Sequence, residues 1–358
     1  YCDFYKTTSV SRIPDLIIAL KKELSLRIDY LDERKIDTIY FGGGTPSLLS
    51  NMQIQFLLNH CKNLFKVSMD AEITIEANPD DLDEQYLKKI HNAGINRLSI
   101  GIQTFSETGL KLMNRRHTPQ QAVDAVKAAQ AVGFDNISVD LIYGIPGMTN
   151  EQWQENLDRV FDLNIQHLSA YHLTYHQGTE LWNRLKKGRI NEIDESRSVE
   201  QFEMLINAGK TNGFIQYEIS NFCLPGYYSK HNTSYWKQTE YIGVGPSAHS
   251  YNITSRQWNV ASVEKYLNSI NNSAVPYEKE VLSINDRFND YVITGLRTMW
   301  GIDLSYVEKE FGENYYQHLL KSSKKYLQSS QLDIKDKHLK IKHDGIFISD
   351  TIMSDLLI

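Results

Sequence analysis

The sequence predicts an α/β protein in which a parallel sheet with crossover helices curls into a full or partial (β/α) barrel. A small helical, winged-helix-like domain is expected to follow it. Three observations carry this reading. Short β-branched runs alternate with amphipathic helical stretches through the first two-thirds of the 358 residues, the pattern that builds βαβ units. Glycine-rich or polar residues fall at the ends of four successive strand candidates, as they do at the mouth of a barrel; a flat doubly wound sheet gathers its site at one switch point instead. Beyond about residue 262 the alternation stops and helical patterns run together.

The strand candidates are residues 36–41, 72–76, 97–101, 137–142, 167–171 and 215–220, all read as members of the parallel series. Helical patterns fill residues 14–34, 52–65, 84–93, 120–132, 151–163 and 195–212. Gly42-Gly43-Gly44-Thr45 ends the first strand, and Glu76 ends the second. Gln103 follows the third, and Asp140 lies near the end of the fourth. Near the C-terminus, helices are expected over 288–298, 304–311 and 315–328. A hairpin of 339–342 and 346–349 is expected around His343-Asp344-Gly345. This divides the chain into a barrel domain at 1–261 and a C-terminal domain at 262–358.

Composition narrows the function classes. Hydrophobic residues at 41% and charged residues at 23% are ordinary for a globular protein. A formal charge of −6 argues against a nucleic-acid surface covering the whole molecule, though not against a local one. The lysines between 321 and 342 read as a solvated face, so no nucleic-acid partner is expected. No run approaches the ~18 apolar residues of a membrane span, and no basic-then-apolar leader opens the chain. Cys2, Cys61 and Cys223 are too scattered for a disulfide scaffold, so a reducing, cytoplasmic setting is expected. Cys61, with Leu57, Leu58, Leu64 and Phe65 at helical spacing, reads as core. The opening Tyr1-Cys2-Asp3 carries no initiator Met, and the expectation is that the native chain begins further upstream.

The sharpest local signal is Gly42-Gly43-Gly44-Thr45-Pro46. A glycine triplet at a strand end lets the backbone approach a ligand with its N–H and C=O groups exposed. It is not a phosphate loop, because the Lys-Ser/Thr ending of a Walker motif is missing.

Six motifs in order carry a family resemblance. They are Tyr1-Cys2-Asp3-Phe4, Gly42 to Pro46, Glu76-Ala77-Asn78-Pro79, Gly101-Ile102-Gln103-Thr104-Phe105, Arg115-Arg116-His117 and Asp140-Leu141-Ile142-Tyr143-Gly144-Ile145-Pro146-Gly147. The chain resembles the coproporphyrinogen dehydrogenase-like branch of the radical S-adenosylmethionine (SAM) family nearly end to end, which implies a barrel of radical SAM type. That family's Cys-x3-Cys-x2-Cys motif holds a [4Fe–4S] cluster with one open iron. Cys2 matches the third cysteine, as metal ligand, and Tyr1 the aromatic position beside it. The other two would lie upstream of residue 1, and one thiolate cannot hold such a cluster. By resemblance Gly43, Gly44 and Thr45 hold the methionyl end of SAM. Glu76 receives its ammonium, Arg115 meets its carboxylate, and Gln103 and Asp140 take the ribose hydroxyls.

Two details separate members of the branch. Oxygen-independent coproporphyrinogen dehydrogenases carry a further Cys two positions after the third cluster cysteine, where this chain has Phe4. His231-Asn232-Thr233-Ser234-Tyr235-Trp236 resembles the His-Asn-x-x-Tyr-Trp motif of HemW-type haem chaperones. An imidazole at His231 can ligate haem iron, Tyr235 offers an oxygen, and Trp236 an apolar face. His249 is a weaker ligand candidate. The resemblance implies a chaperone that binds haem and delivers it to respiratory haem proteins, acceptors at the membrane surface included. The alternative is an enzyme, radical oxidative decarboxylation of coproporphyrinogen III.

Overall fold

The computed structural model describes residues 10–358, so Tyr1, Cys2 and Phe4 lie outside the described residues. The chain packs as two compact units. One holds residues up to 25 with 34–216 and 220–229; the other holds 26–33, 217–219 and 230–358.

Seven strands form one sheet: β1 (Lys35–Phe41), β2 (Lys66–Ala77), β3 (Arg97–Gln103), β4 (Ile137–Tyr143), β5 (His167–His172), β6 (Ile215–Glu218) and β7 (Asn221–Cys223). Their order is β1-β2-β3-β4-β5-β7-β6. β1 to β5 are parallel and joined by crossover helices Asn51–Leu64, Glu84–Ala93, Pro119–Val132 and Asn150–Asp162. The sheet curls into a half-barrel, the partial form of the predicted barrel. The last strand candidate, β6, does not pair with β5, because the unpredicted β7 lies between them. Two residues separate β6 from β7, too few for a crossover, and β7 runs antiparallel to β5.

The crossover helices begin where their side chains dictate. Ser50 with Gln53, Thr118 with Gln121 and Thr149 with Gln152 each close a capping box, satisfying backbone N–H groups that a helix start leaves unpaired. Strand alternation then sorts the faces. Leu98, Ile100, Ile137, Val139, Leu141 and Leu168 are completely buried, and each contributes roughly 1.5–3 kcal/mol by leaving water. The other face is polar. Glu72, Thr74 and Glu76 on β2 stand beside Arg97, Ser99 and Gly101 on β3, then Ser138 and Asp140 on β4, then His167 and Ser169 on β5. A parallel sheet covered on both sides reads as continuous apolar strands; this one keeps a polar interior, and its C-terminal strand ends open on the glycine triplet.

The first helix covers Ile13–Leu26, shorter than the predicted 14–34. The chain leaves the helix at Arg27, whose guanidinium donates to the Gly243 carbonyl at 3.1 Å and to Gln257 Oε1 at 2.9 Å within the second unit.

In that second unit, β8 (His249–Tyr251), β9 (Ser255–Asn259) and β10 (Tyr277–Val281) form an antiparallel sheet. Its pairing spans residue 262, where the sequence pattern changes, and residues 230–261 group with the C-terminal part. Helices Ile284–Leu296, Leu304–Phe311 and Glu313–Gln328 pack with β11 (Ile302–Asp303), β12 (Leu332–Lys335) and β13 (His338–Ile341) around Phe288, Val292, Leu319 and Leu339. The hairpin turns at Asp336-Lys337, both at positive φ (52° and 62°), the geometry of a type I′ turn. The predicted second hairpin strand, 346–349, is instead part of the helical end, His343–Ile346 and Ser349–Leu356. Gly345 packs there so closely that a Cβ would sit 2.3 Å from the Gln331 carbonyl oxygen.

Candidate functional site

Two hydrogen-bonded groups form at the strand ends of the first unit, one around Glu76 and one around Arg115. Past β1, Gly43 and Gly44 take φ of +74° and +65°, and among the described residues nothing lies within 4 Å of where a Cβ on either would stand. The loop is therefore an open backbone cradle in a conformation that glycine adopts without strain. The Gly43 N–H donates to Glu76 Oε2 at 3.1 Å, while Tyr40 Oη donates to Glu76 Oε1 at 2.8 Å. Thr45, half-buried, leads into the turn Pro46–Leu48.

Two residues past Glu76, Asn78 Oδ1 accepts from Arg115 Nη2 at 2.8 Å, and the Gly101 carbonyl accepts from the same nitrogen at 2.7 Å. A Cβ on Gly101 would stand 2.7 Å from Gln103 Nε2 and 3.1 Å from Arg115 Nη2, so a side chain there would displace the ends of both. Gln103 itself sits at φ +67° where the β3–β4 register shifts; a non-glycine residue in that region is held there by its surroundings. Arg116 pairs with Asp80 at 2.8 Å and with Asp81 at 3.3 Å, and Asp81 in turn accepts from Asn78 Nδ2 at 3.2 Å.

Asp140 completes the set from β4. Burial, then the nearby Glu76 carboxylate, push its pKa up to about 7, against the opposing pull of Arg97 and hydrogen bonds from Ser169 and Ser99. Deeper in the sheet, His167 Nδ1 lies 2.8 Å from Ser138 Oγ. Burial, reinforced by Arg97, holds that imidazole well below its ordinary pKa and so neutral. Gly43 is thus tied to Glu76 by a hydrogen bond and Asp140 to Glu76 by charge, while Gln103 and Arg115 both crowd Gly101. Tyr40 and Asn78 belong to these groups too, and sequence reasoning gave neither a role. Asn78 was nevertheless visible in the same four-residue motif as Glu76.

The second constellation lies in the second unit, on the helix Lys230–Trp236. His231 and Tyr235 are one turn apart, with His231 Nε2 2.8 Å from Tyr235 Oη. Tyr235 is exposed and meets Tyr241 edge-on at 4.7 Å, and Tyr241 stacks with Tyr251 at 6.1 Å. Trp236 is half-buried, with the Arg297 guanidinium 5.2 Å from its ring centroid and its Nε1 buried without a hydrogen-bond partner among the described residues. His249 lies on β8, its ring 6.2 Å from that of Trp258. Among the described residues no group of three His, Cys, Asp or Glu side chains is placed to hold a metal ion, and no helix is long and apolar enough to cross a membrane.

Known proteins match this chain along its whole length. The radical SAM superfamily model matches residues 1–160. The heme chaperone HemW of Lactococcus lactis subsp. lactis (strain IL1403) is 35% identical over 315 residues, 87% of this chain and 81% of the relative. The heme chaperone HemW of Mycobacterium tuberculosis (strain ATCC 25618 / H37Rv) is 31% identical over 365 residues, covering 100% of this chain and 91% of the relative. Among solved structures, coproporphyrinogen III oxidase (HemN) from Escherichia coli, a radical SAM enzyme, superposes with a TM-score of 0.85. That superposition covers 99% of this chain and 86% of the other at 22% identity, a likeness of fold. The chain belongs to the HemW haem chaperone family of the radical SAM superfamily.

Proposed function

We propose that this protein binds haem at the exposed face of the helix Lys230–Trp236 and passes it to haem-accepting proteins. The observation that carries the reading is the His231–Tyr235 pair at 2.8 Å. It sets an imidazole nitrogen and a phenol oxygen, both able to ligate iron, side by side on a partly exposed helix that continues into a row of tyrosines. The HemW relatives, named as heme chaperones, support it. Trp236 anchors the motif under Arg297 more than it offers a free face. The setting is cytoplasmic on this reading, in keeping with Cys61 and Cys223 as buried free thiols, and the acceptors are respiratory haem proteins.

SAM is proposed to lie on the rim of the curled sheet. The donor set fits an amino acid joined to a ribose. Glu76 would take the ammonium, Arg115 the carboxylate, the cradle of Gly43, Gly44 and Thr45 the methionyl backbone, and Gln103 and Asp140 the hydroxyls. Asn78 and the Gly101 carbonyl aim the guanidinium of Arg115 before any ligand arrives. Together with a reduced [4Fe–4S] cluster, to which Cys2 would contribute, SAM supplies one-electron bond-cleaving chemistry that belongs to the cofactors.

The test uses full-length protein with its cluster assembled. Haem titration should give a saturable Soret band, and anaerobic incubation with coproporphyrinogen III, SAM and a reductant should leave the substrate's propionates intact. Decarboxylation would make the protein an enzyme and overturn the chaperone reading. Absence of saturable haem binding would remove its basis.

A further inference from the structure

Both oxygens of Glu76 are held from the β1 side. Tyr40 Oη reaches Oε1 at 2.8 Å and the Gly43 N–H reaches Oε2 at 3.1 Å. Two donors on the two oxygens fix the plane of the carboxylate, and each oxygen keeps a further lone pair for a ligand. The phenol comes from the inner face of β1, where Tyr40 stands in register with Thr74 on β2. Burial and the neighbouring Glu76 carry the Tyr40 pKa well above its ordinary value, so the phenol stays protonated and donates across the whole working pH range.

The first glycine of the triplet has a different reason from the other two. Gly42 has no positive φ to explain it. A Cβ there would lie 2.5 Å from Tyr40 Cε1 and 3.0 Å from Glu76 Oε1. Gly42 is glycine because the ring of Tyr40 and the carboxylate of Glu76 fill the space a side chain needs. The triplet therefore does two jobs: Gly43 and Gly44 shape the cradle, and Gly42 makes room for the phenol that sets Glu76.

We propose that Tyr40 is a positioning residue of the SAM site. Its phenol holds Glu76 in the orientation that meets the ligand's α-ammonium, and Gly42 is the clearance this arrangement requires. The inference rests on the proposed SAM site and adds to it a residue that touches no ligand.

Calorimetry on the full-length protein with its cluster assembled tests it, using two probes. One is SAM, the other 5′-methylthioadenosine, which keeps the nucleoside and lacks the amino and carboxylate groups. Tyr40→Phe should weaken SAM about tenfold, the effect of loosening one charge-assisted contact, and leave 5′-methylthioadenosine unchanged. Gly42→Ala, which displaces the phenol without removing it, should copy that selectivity. Glu76→Gln should weaken SAM further, and adding Tyr40→Phe to it should cost nothing more. Wild-type SAM affinity in Tyr40→Phe, or equal weakening of both probes, overturns the positioning role; equal weakening would mean that Tyr40 only packs the strand end. If Glu76→Gln binds SAM like wild type, the site assignment itself fails, and the Tyr40 role falls with it.

Discussion

Arg297 donates to Glu218 Oε1 from two nitrogens, Nε at 3.0 Å and Nη2 at 2.7 Å, while its guanidinium lies over the ring of Trp236. The Glu218 side chain is 1% exposed and that of Arg297 27%, so the pair is a buried carboxylate whose cation reaches toward solvent. Removing the cation takes from a buried carboxylate its charged hydrogen-bond donor. Arg297→Met should therefore destabilise the second unit by about 3 kcal/mol, the low end for a broken buried pair because Arg297 is partly hydrated. Urea unfolding measures this, and an unchanged midpoint would mean that Glu218 is served by other donors. The same variant should release Trp236 and loosen haem without replacing its iron ligand.

The ligand itself is read by spectroscopy. His231→Ala should shift or abolish the Soret band of the haem complex. Trp236→Ala should lower affinity with less spectral change, since its indole is engaged by Arg297. Tyr235→Phe should also change the spectrum, because the imidazole it contacts at 2.8 Å loses that partner. Wild-type spectra in both His231→Ala and Tyr235→Phe would move the ligand elsewhere, with His249 next to examine.

At the strand-end rim, Arg115→Ala should weaken SAM binding about tenfold or more, the loss of a charge-assisted pair of ~1.5–3 kcal/mol. Asn78→Ala should cost less, because the Gly101 carbonyl still holds the guanidinium at 2.7 Å. Calorimetry that ranks Asn78→Ala above Arg115→Ala would reverse the two roles.

Much of this was legible in the residues. Gly42 to Thr45, Glu76, Gln103 and Asp140 advertise a rim because each is an awkward residue at a strand end, and the structure ties Gly43 to Glu76 directly. The alternation on β2 to β5 was an unread signal. Thr74, Ser99, Ser138 and Ser169 between apolar neighbours mark a polar interior, where a plain parallel sheet would show unbroken hydrophobic runs. Tyr40 was invisible because a tyrosine near the end of a strand reads as core. Its role appears only when β1 and β2 pair and bring its hydroxyl to Glu76, 36 residues away. The turn at Asp336-Lys337 was missed for a local reason. Neither residue is glycine, although both adopt positive φ, whereas His343-Asp344-Gly345 looks like a turn and lies at a helix start. Long-range contacts decided the rest, as with Arg27, which ends its helix early to reach Gly243 and Gln257.

Asp140 links stability to pH. Burial and Glu76 lift its pKa from 3.8 to about 7 in the folded chain. Between those two values the folded state binds more protons than the unfolded one, so this group makes stability fall as pH rises through the window and then level off above about 7. Glu76 adds to the lift; Arg97 and the Ser99 and Ser169 hydroxyls oppose it. Asp140→Asn removes the dependence while keeping the shape. The variant should unfold at nearly the wild-type denaturant concentration at pH 4 and prove more stable at pH 8 by roughly 2–4 kcal/mol, at ~1.4 kcal/mol per pKa unit. The gain carries a functional cost on the proposed SAM site, since an amide is a weaker acceptor than a carboxylate for two ribose hydroxyls. SAM binding should therefore drop most above pH 7, where the wild-type group is ionised. Urea midpoints measured from pH 4 to 8 decide the matter: a wild-type-minus-variant difference that stays flat with pH would show that Asp140 ionises in its ordinary range and that the buried carboxylate is solvated by the hydroxyls around it.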